Sequence, residues 1–260
     1  MRIDPDVVPI SGGVAGLDGG LHFLDAPRKE IARYVLVLDA INFGSGWFEE
    51  LGTSTDALTR RLTEHARARG GTWTAAEMRG TVDVAGVLGL PADHELTGLY
   101  GRALEQLGEF LAERRALAVV AAAGGSAQRL ARQLADGMPF FADHGFYKRA
   151  QITANDLVLA GVADFADVDR LTVFADNLLP HVLRVEGVLR YAPELAARVD
   201  AGVELPAGSD MERELRACTV HACEGIAARL GVPPRTLDNW LWNRGRDLPG
   251  RPHCTRTVFY

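Results

Sequence analysis

The sequence predicts an all-α fold in a single compact domain, and three observations lead there. Apolar residues recur at three- and four-residue spacing in one segment after another. Residues that start helices (Ser, Thr, Asp, Pro) precede those segments, and glycines follow them. Nothing alternates with a period of two over several separate runs, and no repeat of roughly 20 to 50 residues recurs. The chain of 260 residues is long enough for a large core, and no linker-like stretch divides it, so 1–260 is taken as one domain.

Residues 1–27 are irregular and glycine-rich. Gly12-Gly13 and Gly19-Gly20 read as turns, because no GxxxxGK[ST] follows and no strand–GxGxxG–helix frame surrounds them. Pro27 opens a helix over 28–42, with Ile31, Val35 and Leu38 on one face and Gly44 and Gly46 to stop it. Asp39 and Asn42 are polar residues in this very apolar run, which ends at Phe43 and Trp47. Structural hydrogen bonding and a binding role fit these two equally well.

Ser54 or Thr55 caps an amphipathic, solvent-facing helix that runs to Arg69. Residues 72–90 are mixed, with Trp73 and Met78 in the core. Leu104, Leu107 and Leu111 mark a scaffold helix over 97–117, and 119–123 is a short apolar run, strand or buried turn. Ser126 caps a helix ending at Gly137. An aromatic patch, Pro139–Tyr147, leads directly into Lys148 and Arg149. Adjacent basic residues are ordinarily solvated, but behind an aromatic loop they also suit an anion held beside a stacked base. Residues 156–170 read as a helix pair around Gly161.

The pivotal stretch is Leu171–Arg184. Leu178, Val182 and Leu189 continue a helical stripe, widened by Leu179 and Leu183. Pro180 is tolerable only in a first turn, so the helix begins near Asp176-Asn177, both good caps. The Asp176 carboxylate thus sits at the positive end of a helix, two residues after Phe174. On these residues alone it is a capping Asp beside a core Phe. A short helix over 193–200 follows, then a capping box, Ser209-Asp-Met-Glu212, opening a long helix to Leu230. Glu214, Cys218 and His221 share a face of it, but a mononuclear metal site needs a further convergent ligand, so no metal is expected. Glu214 and Arg216 instead read as polar contacts near a pocket. The last helix, over 233–243, sets Asp238 and Trp242 at i and i+4, a clamp for a flat, amine-bearing ligand. The tail 253–260 is apolar at its end and packs back onto the domain.

Hydrophobic content of 47% with 24% charged residues is ordinary for a soluble globular chain. A net charge of −6 argues against a stable nucleic-acid partner, although a local basic pocket suffices for one phosphate. The three cysteines lack paired CxxC spacing and fit a reducing interior. No segment has the apolar length of a membrane span, and the acidic start lacks a signal-peptide core, so a cytoplasmic location without membrane contact is expected. Oligomeric state is left open.

Seven separated segments resemble one family, the queuosine salvage proteins (queuosine 5′-phosphate N-glycosylase/hydrolases). They are Leu38–Phe43 (LDAINF), Ser126–Gln128 (SAQ), Phe146–Ile152 (FYKRAQI), Leu171–Asp176 (LTVFAD) with Pro180, Glu214–Arg216 (ELR), Leu237-Asp238 with Leu241-Trp242, and Arg256–Tyr260 (RTVFY). They extend from about residue 35 to residue 260 in the right order. The resemblance implies an all-helical fold similar to that of the DNA glycosylases. It implies hydrolysis of queuosine 5′-monophosphate, a small-molecule nucleotide, to queuine and ribose 5-phosphate, with no cofactor. It makes Asp176 the catalytic carboxylate, and puts contacts to the base on Phe174 and Asp238. Trp242, Asp39, Asn42, Phe43, Lys148, Arg149, Glu214 and His22 are the further candidates for substrate binding. The sequence departs from the family at Asn177-Leu178, where other members often carry Tyr-Arg, and at Asn243, where some carry an acidic residue.

The implied chemistry agrees with these residues. Cleaving a ribosyl C–N bond passes through an oxocarbenium-like state, which a carboxylate can stabilise, attack or supply with activated water. A competing reading is a non-catalytic nucleobase carrier, which would share the aromatic and Asp238 contacts without needing Asp176 at the sugar. A DNA glycosylase proper is a third reading, opposed by the acidic charge and the lack of a basic stripe.

Overall fold

The structure, a computed structural model, describes residues 16–260 and the short strand Arg2–Ile3. The expected turn at Gly12-Gly13 lies outside the described residues. Thirteen α-helices form among the described residues, and the fold is mainly helical as expected. Two compact units can be distinguished, 16–168 with Phe259, and 169–258 with Tyr260 and the N-terminal strand.

The first unit is built on α1 (Arg28–Ala40), followed by α2 (Phe48–Leu51), α3 (Thr55–Arg69), α4 (Ala75–Met78) and α5 (Val84–Leu88). It continues with α6 (Glu95–Leu111), α7 (Ala116–Ala122), α8 (Ala127–Gly137) and α9 (Lys148–Leu159). From Ile31 to Ala40, α1 is buried at nearly every position, which its Tyr-Val-Leu-Val-Leu run demands. Ser54 and Ser126 cap α3 and α8, accepting from Ala57 N–H and Arg129 N–H. Helix α6 starts two residues earlier than its sequence pattern and stops at Leu111, because Ala112 turns to a positive φ of 46°.

Two expectations are corrected here. Residues 116–122 form a helix, not a strand or turn. The run is alanine-rich, and its buried residues Ala116, Val119 and Val120 fall at i, i+3 and i+4. The second half of the expected pair around Gly161 is not an α-helix; only a 3₁₀ turn forms, at Val168–Arg170. The segment is engaged otherwise: Ala166 N–H donates to the Gly125 carbonyl at 3.1 Å, and the Asp167 carboxylate accepts from Ser126 Oγ and Ala127 N–H, both at 2.6 Å, and so caps α8 from outside.

The second unit holds α10 (Leu178–Val185), α11 (Pro193–Asp200), α12 (Asp210–Leu230) and α13 (Pro234–Gly245). A two-residue antiparallel pairing sets β1 (Arg2–Ile3) against β2 (Leu189–Arg190), with Ile3 opposite Leu189. Its core joins Leu179, Val182 and Leu183 of α10 to Ala222, Cys223 and Ile226 of α12 and Leu237 and Leu241 of α13. Helices α10 and α13 approach closely at Gly245, where a Cβ would lie 2.7 Å from Val182 Cγ2 and 2.8 Å from Leu178 Cγ. Any larger residue there would push α13 off α10.

Candidate active site

Within the second unit the segment 171–176 is irregular, so its backbone groups must find partners outside any helix ladder. Phe174 N–H donates to Asp238 Oδ1 at 2.6 Å. The Ala175 carbonyl accepts from Arg216 Nε at 2.9 Å. Asn177 Nδ2 reaches the His253 carbonyl at 3.4 Å. Asp176 itself caps α10 through a single oxygen: Oδ1 accepts from Leu178 N–H at 2.8 Å and from Leu179 N–H at 3.1 Å. Asn177 already has helical dihedrals, so Asp176 is the capping position in geometry. Among the described residues Oδ2 accepts no hydrogen bond. The start of α10 thus engages Oδ1 and not Oδ2.

Asp238 and Trp242 stand one turn apart on α13. Asp238 is buried and Trp242 partly buried against the core, with the Arg246 guanidinium 5.1 Å from its ring centre. Phe174 is buried as well. Behind this segment lies a buried polar chain. Arg216 is only 2% exposed, stacks on the Tyr260 ring at 4.7 Å and pairs with Glu212 at 3.4 Å. Tyr260 Oη donates to Glu212 Oε1 at 3.0 Å, and His253 Nε2 lies 3.2 Å from the same hydroxyl. Burial drives the His253 imidazole down to about 3, with the Arg216 charge acting the same way.

Glu214 and Arg216 differ in their surroundings. Glu214 is exposed, and the carboxylate paired with Arg216 is Glu212. Positions 212 and 216 are i and i+4 on one helix face, whereas 214 and 216 point apart. The capping box at Ser209 is half formed for the same reason. Ser209 Oγ accepts from Glu212 N–H, but the Glu212 side chain serves Gly208 N–H, Arg216 and Tyr260.

The first unit carries a second polar cluster. Asp39 is fully buried, and neither of its carboxyl oxygens has a hydrogen-bond partner among the described residues. Thr153 lies beside it, but its hydroxyl donates to the Arg149 carbonyl at 2.9 Å. Burial, then the neighbouring Asp156, pushes the Asp39 carboxyl well above the usual range. Asp156, half-buried at its surface but closely surrounded, is pushed up to about 7 by burial. Asn155 Nδ2 donates to it at 3.1 Å, and the charge of Lys148 opposes the shift.

Lys148 and Arg149 are both buried, so the ordinary solvated reading fails for this pair. Arg149 is 1% exposed and committed to backbone: its guanidinium donates to the carbonyls of Asp39, Ala40 and Phe140, between the rings of Phe43 and Phe141. Phe43 is buried too, against Tyr100 and Phe140, while half-buried Asn42 follows the end of α1. His22 is half-buried in a turn, with Nδ1 3.0 Å from the Asp18 carbonyl. Among the described residues no three His, Cys, Asp or Glu side chains converge as metal ligands.

The family model described as queuosine salvage protein matches residues 21–260. The chain belongs to the queuosine salvage protein family. A queuosine 5′-phosphate N-glycosylase/hydrolase of Sphaerobacter thermophilus is 36% identical over 275 residues, covering 92% of this chain and 84% of the relative. Proteins of the same name from Dictyostelium discoideum and Mus musculus are 39% and 33% identical, over 44% and 61% of this chain and 40% and 56% of their own lengths. The span matched to the queuosine salvage family takes in every site candidate from His22 to Trp242, and the Glu212, His253 and Tyr260 cluster as well. Sequence reasoning did not assign that cluster or Asp156. The signal for Glu212 was present in Ser209-x-x-Glu212, but a capping box accounted for it fully.

Proposed function

We propose that this protein hydrolyses the N-glycosidic bond of queuosine 5′-monophosphate, releasing queuine and ribose 5-phosphate. The observation that carries the proposal is 36% identity, over 92% of the chain, to a relative named queuosine 5′-phosphate N-glycosylase/hydrolase. Asp176 is the proposed catalytic carboxylate. With Oδ1 held by two backbone N–H groups, its orientation is set before substrate arrives and costs no reorganisation during reaction.

In the proposed reaction the C1′–N bond breaks with its electron pair leaving on the base. The sugar carbon becomes oxocarbenium-like, and the negative charge of Asp176 offsets the positive charge that develops there. Water supplies the new C1′–O bond and gives up a proton, and the departing base takes one up. The base is a 7-deazaguanine, so protonation at N7 is unavailable and its other edges must be stabilised. Phe174 and Trp242 are the proposed stacking groups, and Asp238 the proposed acceptor for its N–H donors.

The substrate is a small nucleotide, and the net charge of −6 supports the absence of a stable nucleic-acid partner. No helix among the described residues is long and apolar enough to cross a membrane. A cytoplasmic location belongs to the same proposal, supported by three free cysteines. The test is incubation of the purified protein with queuosine 5′-monophosphate, with chromatographic detection of queuine. Release of queuine with ribose 5-phosphate is expected. Tight queuine binding without turnover would make the protein a carrier instead.

A further inference from the structure

We infer that Arg216 and Tyr260 are positioning residues for Asp176, acting through the Ala175 carbonyl on one side of it and the Asn177 side chain on the other; this rests on the catalytic reading of Asp176. The segment that delivers Asp176 has no regular structure of its own. Its placement therefore depends on whatever holds its neighbours, and two of those holds trace to one buried cluster. The Ala175 carbonyl is gripped by Arg216 Nε at 2.9 Å. Asn177 Nδ2 bonds the carbonyl of His253, whose ring touches Tyr260.

The cluster holds Arg216 through a ring and a carboxylate. The Tyr260 ring lies under the guanidinium at 4.7 Å. Glu212 Oε1 faces Nη1 at 3.4 Å, and the same oxygen accepts from Tyr260 Oη at 3.0 Å. Glu212 is itself held, since Oε2 accepts from Gly208 N–H at 3.2 Å. The tyrosine hydroxyl donates to Glu212, so it accepts from His253, whose neutral ring carries its proton on Nε2. A buried ion pair contributes little net stability, because desolvation cancels most of its attraction. Its worth here is directional: a planar guanidinium stacked on a ring and held at Nη1 can aim Nε at only one place. A lysine could supply the charge but not that aim. Displacing a catalytic carboxylate by even about 1 Å can cost on the order of 100-fold in rate.

The experiment compares Tyr260→Phe and Arg216→Lys with wild type and Asp176→Asn, measuring kcat, KM, queuine affinity and Tm on each preparation. Tyr260→Phe keeps the ring under Arg216 and removes only the hydroxyl that orients Glu212. It should lower kcat about 10-fold with KM and queuine affinity near wild type, and Arg216→Lys should lower kcat about 100-fold. A fall in Tm with kcat per folded molecule unchanged in both variants would make the cluster merely structural and overturn the inference. If Arg216→Lys does not fold, Tyr260→Phe decides alone, and an unchanged kcat there overturns it. Turnover retained in Asp176→Asn would be a different failure, that of the catalytic reading itself.

Discussion

Asp238 Oδ1 accepts the backbone N–H of Phe174 at 2.6 Å, so α13 holds the segment that carries the catalytic candidate. The same carboxylate is the proposed contact to the base, and two substitutions separate the roles. Asp238→Asn keeps an oxygen for Phe174 N–H but loses the charge. It should weaken queuine binding with Tm nearly unchanged. Asp238→Ala should add a stability loss of about 1–3 kcal/mol, because a buried N–H is left unpaired. Calorimetry and thermal melts on both variants check this. Unchanged queuine affinity in Asp238→Asn would confine Asp238 to holding the backbone.

A pH dependence follows from Asp156. Burial pushes its carboxyl up to about 7, against 3.8 for an ordinary Asp. Between those values the folded chain keeps a proton that the unfolded chain has released. The stability this brings is present at the acid end of the window and is lost as pH rises through about 7. Asp39 is shifted the same way, by burial first and Asp156 second. Asp156→Asn cannot ionise, so its Tm relative to wild type should climb between about pH 4 and about pH 8. A Tm difference independent of pH would show that Asp156 titrates normally.

Arg149 is expected to act on stability. Its guanidinium satisfies three backbone carbonyls, two of them at the end of α1, from a position 1% exposed. Arg149→Met fills similar space but removes the donor to the Ala40 and Phe140 carbonyls, while the Asp39 carbonyl keeps the Asn42 N–H, and should cost about 3 kcal/mol or more. Urea unfolding measures it through the midpoint. A loss below about 1 kcal/mol would mean that the carbonyls find other partners.

Much of this was legible in the sequence because it rests on local rules. The caps at Ser54, Ser126 and Ser209, and the start of α10 forced by Pro180, need only neighbouring residues to be read. What was hidden depends on long-range pairing. Nothing near Asp167 in sequence says that it caps α8 some forty residues earlier. Glu212 looked like half of a capping box until Tyr260 and Arg216 claimed its oxygens. Lys148 and Arg149 looked solvated because burial of a charge is unusual, and only the carbonyls at the end of α1 explain Arg149 inside. The 119–123 run was ambiguous for the opposite reason: five apolar residues are too few to show a period.

The central claim is that Asp176 supplies the charge that stabilises the sugar cation, and Asp176→Asn tests it most directly. Asn is nearly isosteric and caps a helix as well as Asp does, so the bonds to Leu178 and Leu179 N–H can persist. Tm and queuine affinity should therefore stay near wild type, while release of queuine from queuosine 5′-monophosphate falls on the order of 100-fold or more. Near-normal turnover in a folded Asp176→Asn would contradict the account and reduce Asp176 to a helix cap.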